Sequence, residues 1–224
     1  MKYRILGNDM QTLIVELEPG ERVYAEAGSM VHMSGNMKME AKMVGGLGKA
    51  IGRFFARESA FMQVFEPVGG QGIVAFSGAF PGQIVPLEVK PGKEYILQKT
   101  AFLAATEGVE LSVAFQKKLG AVFFGGEGLI LEKVHGNGTA WIYTFGNVIK
   151  YDLKPGQELK VDAGSAVAWE STVDYDITRV KGLKTIIFGG EGLFLTSLRG
   201  PGTVYLQSME LPAFIHQIAK RLGR

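Results

Sequence analysis

The residues best suited to chemistry in this chain are carboxylates in glycine-rich settings. Glu127 and Glu191 each stand in the run Phe-Gly-Gly-Glu-Gly-Leu, and Glu58 stands where a third such carboxylate belongs. Three carboxylates gathered about one axis would bind a cation or a small ligand. A carboxylate in a glycine-rich bend also accepts N–H bonds from its own backbone. Recurrence favours this second role, because function usually resides in one site grafted on a fold.

Other arrangements fall short of known chemistries. Gly46-Leu47-Gly48-Lys49-Ala50 has the look of a phosphate loop, but that loop needs Ser or Thr after its lysine, and Ala50 follows Lys49. His32, His135 and His216 lie far apart and in different kinds of segment, whereas a histidine metal site needs converging ligands. Ser29 and Ser165 follow glycines but sit in no Gly-x-Ser-x-Gly elbow. The chain has no cysteine, which excludes disulfides, thiolate metal sites and thiol nucleophiles. Met30, Met33, Met37, Met39 and Met43 are close in sequence; packing of irregular core gaps is the better account than a soft-metal site. The expectation is therefore no catalytic residue, no cofactor and no metal.

A surface is the alternative to a pocket. Between Gly45 and Arg57, the residues Leu47, Ala50, Ile51, Phe54 and Phe55 recur at helical spacing, with Lys49, Arg53 and Arg57 on the polar side. The spacing predicts an amphipathic helix that caps the core, forms an oligomer contact or lies on an anionic membrane surface, ranked in that order. A second helix is expected over Pro212–Leu222, with Pro212 in its first turn and Lys220 and Arg221 in its last. A short helical turn is expected at Phe115–Leu119.

The elements that must position these residues are strands. The chain has 224 residues, 46% of them hydrophobic and 21% charged, as in a globular protein. Its 31 glycines are scattered, as many tight turns require. A formal charge of +2 leaves no broad basic footprint for nucleic acid. No apolar run of ~18 residues is present to span a membrane. The N-terminus lacks the apolar stretch of a signal peptide, so the expected location is the cytoplasm.

Internal repetition organises the strands. Lys90–Tyr143 matches Lys154–Gln207 without a gap, with 18 of 54 positions identical. Lys90-Pro91-Gly92 answers Lys154-Pro155-Gly156, and Gly136-Asn137-Gly138-Thr139 answers Gly200-Pro201-Gly202-Thr203. The N-terminal third carries the same landmarks more loosely, with Glu18-Pro19-Gly20 as its turn and Ala27-Gly28-Ser29 echoing Ala163-Gly164-Ser165. Apolar residues alternate with period two in Met37–Ala41, Val109–Val113 and Val173–Ile177, which predicts three equivalent half-buried strands. The expected organisation is one mainly β unit of three repeats: 1–80 with a helical insertion, 81–144, and 145–210. A C-terminal helix follows over 211–224, and a pseudo-threefold arrangement is the natural guess.

The repeated Gly-Gly-Glu-Gly-Leu, the Ala-Gly-Ser after a Pro-Gly turn, and the Gly-Gly-Leu-x-x-x-Ile-x-Arg segment ahead of Glu58-Ser59 together resemble one family. It is the altered-inheritance-of-mitochondria family, number twenty-four, long catalogued in bacteria and archaea as a domain of unknown function. The resemblance implies three fused β-sandwich units of the tryptophan-RNA-binding-attenuator (TRAP) type, a short double-stranded β-helix. It also implies that no enzymatic activity or catalytic residue is established for such proteins. Arg57 departs from the pattern, where glycine is expected before Glu58. On these grounds the chain is expected to be a non-enzymatic homo-oligomer that acts as a scaffold, with another protein or a membrane surface as further partner. A small-ligand or RNA-binding module is the alternative, and a metal-dependent enzyme on the same fold ranks third.

Overall fold

The computed structural model describes residues 1–43, 61–117, 129–179 and 194–222. They form nineteen strands, one short 3-10 turn (Lys99–Ala101) and one C-terminal helix. After an initial strand β1 (Lys2–Leu6) come β2 (Thr12–Leu17), β3 (Val23–Glu26), β4 (Met30–Met33), β5 (Met37–Met43), β6 (Phe61–Pro67) and β7 (Gly72–Ser77). The next six are β8 (Ile84–Val89), β9 (Tyr95–Gln98), β10 (Phe102–Thr106), β11 (Val109–Lys117), β12 (Leu129–Gly136) and β13 (Gly138–Tyr143). The last six are β14 (Val148–Leu153), β15 (Glu158–Asp162), β16 (Ala166–Glu170), β17 (Asp174–Arg179), β18 (Phe194–Arg199) and β19 (Gly202–Gln207).

Local chemistry explains the turns between β2 and β3, between β8 and β9, and between β14 and β15. Gly20, Gly92 and Gly156 follow prolines and take φ of +87°, +82° and +80°. The N–H two residues after each proline donates to the carbonyl just before it: Glu21 to Glu18 at 3.0 Å, Lys93 to Lys90 at 2.8 Å and Gln157 to Lys154 at 3.0 Å. Proline presets the first central φ and glycine supplies the positive one, as a type II turn requires.

The pairing of β2–β7 recurs in β8–β13 and in β14–β19. The first strand of each set pairs antiparallel with the last, as β2·β7, β8·β13 and β14·β19. The fourth pairs with the fifth, as β5·β6, β11·β12 and β17·β18. The third pairs with the last through a bulge at the same place, after Met30, Phe102 and Ala166. Between sets, the second strand of one joins the third strand of the next, as β3·β10 and β9·β16. Four sheets result, in the orders β1-β2-β7-β4, β5-β6-β3-β10-β13-β8, β11-β12-β9-β16-β19-β14 and β15-β18-β17.

Buried apolar side chains lie between successive sheets. Leu13, Val15 and Phe76 of the first sheet meet Ala25, Phe65 and Trp141 of the second. Tyr24, Leu87 and Ile142 on the other face of the second meet Leu97, Val134 and Ala168 of the third. Ile96, Leu131 and Trp169 on the far face of the third meet Val161, Ile177 and Leu198 of the fourth. The two middle sheets are thus apolar on both faces, which is why β9 and β13 contain continuous apolar runs rather than alternation. The segments between sets meet closely enough that a Cβ on Gly82 would stand 1.7 Å from the Thr144 carbonyl oxygen.

Two expectations need correction. Phe115–Lys117 belongs to strand β11, not to a helical turn; a register shift between Val113 and Phe115 breaks the period of two and hides the strand. Residues 118 and 119 lie outside the described residues. Among the methionines whose burial is described only Met37 is fully in the core, while Met33 and Met39 are exposed.

Candidate interaction surface

The residues expected to form an interaction surface, Lys49, Arg53, Phe54, Phe55 and Arg57, lie outside the described residues. So do the three turn carboxylates Glu58, Glu127 and Glu191. The helix expected over Gly45–Arg57 falls there too. The structure describes their anchors: the segments that carry them leave and re-enter the fold at the pairs Met43↔Phe61, Lys117↔Leu129 and Arg179↔Phe194. His32 lies on β4, His135 on β12 and His216 on the C-terminal helix. Among the described residues no group of three or more His, Asp or Glu could hold a metal ion.

Two strands differ from their counterparts. In β4, Val31 is 56% exposed, whereas its counterparts Leu103 and Val167 are 2% and 1% exposed. His32 and Met33 are exposed too, where Ala104, Ala105, Ala168 and Trp169 are sealed. The cause is topological. β10 has β3 beside it and β16 has β9, but among the described residues β4 pairs only with β7. The converse holds for β15, which among the described residues pairs only with β18. Its Lys160 is exposed where the counterparts Tyr24 of β3 and Ile96 of β9 are buried. One sheet therefore ends in an uncovered third-type strand, and another in an uncovered second-type strand.

The joints that do form use a side-chain clip. Gln11, just before β2, accepts the Ile84 N–H that opens β8 at 2.7 Å. Gln83, just before β8, accepts the Val148 N–H that opens β14 at 2.8 Å. The next N–H in this series would belong to residue 212, which is proline and has none. There the helix α1 (Leu211–Arg221) begins. Glu210 ties its start to the third set by accepting the Ser165 hydroxyl at 2.7 Å. Phe214, Ile215 and Ile218 on this helix are exposed, as is Leu222 just after it, with Lys220 and Arg221 beside them. No described helix is long and apolar enough to cross a membrane.

Among the described residues one titratable group is buried without full satisfaction. Glu132 on β12 is 2% exposed, and its Oε2 has no hydrogen-bond partner. Burial pushes its pKa up to about 7; the Lys99 ammonium opposes this and the Glu26 carboxylate adds to it. The same desolvation, with Glu132 and Glu110 near, raises the Tyr24 phenol, whose hydroxyl donates to the Val109 carbonyl at 2.9 Å. Sequence reasoning passed Glu132 over. The available signal was parity: Ile130, Glu132 and Val134 share a strand face.

Comparison with known proteins agrees with this layout. The family profile described as mitochondrial biogenesis AIM24 matches residues 3–209. The chain belongs to the AIM24 family. An uncharacterized protein of Streptococcus pyogenes serotype M6 is 35% identical over 231 residues, covering 99% of this chain and 91% of that protein. A Streptococcus pyogenes protein with a crystal structure from a structural genomics consortium is 33% identical. It superposes with a TM-score of 0.79 over 99% of both chains. This AIM24-family chain thus shares its mainly β architecture with an experimentally solved relative.

Proposed function

We propose that this AIM24-family chain is a non-enzymatic scaffold that associates with further copies of itself in the cytoplasm. We read its three strand sets as TRAP-like units of one motif, the first spanning 1–80, the second 81–144 and the third 145–210, joined one after another in a row. The recurring pairings and the recurring bulge support that reading. One observation carries the self-association. Val31 stands 56% exposed at a place where its two counterparts are sealed by a neighbouring strand. Covering what remains exposed of Val31 and Met33 is worth roughly 1 kcal/mol each, enough to help hold an interface together. The exposed apolar side of α1, with Lys220 and Arg221 beside it, offers a second surface for a protein or a membrane.

Light scattering coupled to size-exclusion chromatography tests the proposal. The expected mass at micromolar concentration is a multiple of 24.3 kDa. A single species at the monomer mass overturns it.

A further inference from the structure

We propose that β15 of one copy adds to β4 of another, so that the chain assembles head to tail through the joint it already uses twice internally. This deepens the self-association reading and rests on it. Inside the chain, the second strand of one set pairs with the third strand of the next, with registers Tyr24↔Ala105 and Ala25↔Ala104 in one joint and Ile96↔Trp169 and Leu97↔Ala168 in the other. The two registers are equivalent. Three sets contain three second strands and three third strands, and two joints consume two of each. The first set's third strand, β4, and the last set's second strand, β15, remain.

Each of the two is one half of the same joint. Carrying the register across sets Val161 opposite His32 and Lys160 opposite Met33. Backbone N–H and C=O groups along both outer edges would complete a ladder, as in strand addition to an open sheet edge. The charges are compatible. β4 holds no carboxylate, and β15 is bounded by Glu158 and Asp162, so no like carboxylates face each other across the new ladder. The bulge after Met30 is shared with Phe102 and Ala166 in the formed joints, so β4 has the backbone shape that β3 and β9 accept in its counterparts. Among the described residues β4 and β15 are not paired with each other, and each chain offers one edge of each kind. Such a contact is heterologous: repeated from copy to copy, it closes into a ring or extends as a filament.

The absence of native cysteine makes the test direct. Met33→Cys and Lys160→Cys alter two exposed side chains and are prepared as separate proteins, each checked by circular dichroism against the parent. Treated with a short thiol-to-thiol cross-linker, the mixture is expected to give a covalent dimer that neither protein gives alone. The doubly substituted chain is expected to form covalent dimers and larger products. Val31→Lys, which places a cation on the β4 edge, is expected to lower the mass seen by light scattering. If the doubly substituted chain cross-links only within itself, the two edges meet in one molecule and the proposal fails. If the parent is oligomeric but the mixture does not cross-link, this joint is wrong while self-association stands. A monomeric parent removes both.

Discussion

Glu132 is a carboxylate buried on a strand face that it shares with Ile130 and Val134. Its counterpart in the third set, Thr196, is also buried. Burial favours the neutral acid, and an acid whose folded pKa of about 7 exceeds the ordinary 4.5 weakens the fold once it must ionise. The sign follows from linkage. Below pH 4.5 both states are protonated and nothing is lost. Between 4.5 and about 7 the unfolded chain releases the proton first and stability falls; above 7 the loss is constant. Glu132→Gln removes the ionisation while keeping the shape. It is expected to match the parent at pH 4 and to be more stable by roughly 2–3 kcal/mol at pH 8, read from urea midpoints at both pH values. A difference that does not change with pH would overturn this account. At this scale the sequence was partly legible. The parity of Ile130, Glu132 and Val134 marks an anomalous carboxylate, but parity alone cannot say that both faces of β12 are covered.

At the scale of elements, the joints depend on a few atoms. Replacing Gln11 or Gln83 by alanine leaves the Ile84 or Val148 N–H without its acceptor. Each change is expected to cost about 1–2 kcal/mol, measured as a lower urea midpoint with unchanged slope. Two glycines separate close approach from backbone conformation. Gly156→Ala has open space but a φ of +80°, so its cost is expected near 1 kcal/mol. Gly82→Ala would press a methyl group into the Thr144 carbonyl, so it is expected to cost well over 3 kcal/mol or to prevent folding. Thermal melts of the pair discriminate the two mechanisms. The Pro-Gly turns and the alternating strands were readable because their causes are local. The end of β11 was not, since a bulge shifts the side-chain parity without leaving a compositional mark. The Gln11 and Gln83 clips were hidden as well, because each reaches a partner more than sixty residues away.

Across the whole molecule, the two middle sheets each contribute to two cores. Trp141 lies between the first and second sheets and Trp169 between the third and fourth, and these are the only tryptophans. Trp141→Phe and Trp169→Phe each leave one fluorescent reporter, at opposite ends of the stack. Because the sheet between any two cores is common to both, each variant is expected to show one urea transition whose fluorescence and far-ultraviolet dichroism midpoints coincide. Fluorescence that leads or lags the dichroism in either variant would mean that the layers melt separately. Repetition at an offset of 64 made the motif legible at this scale. The uncovered β4 and β15 were not, because strands of the same type are sealed or open according to their place in the row. Lys160 of β15 corresponds to Ile96 of β9, a difference that reads as ordinary variation until the missing neighbour is known.

A row of like units needs a rule for stopping as much as one for joining. Here the rule is the substitution of an imino acid for an amino acid. At Pro212 the hand-over from one unit to the next has nothing to offer the side chain ahead of it, and the backbone turns into a helix instead of opening another strand. The break after the third set is thus punctuated by the chain's own chemistry at a single residue.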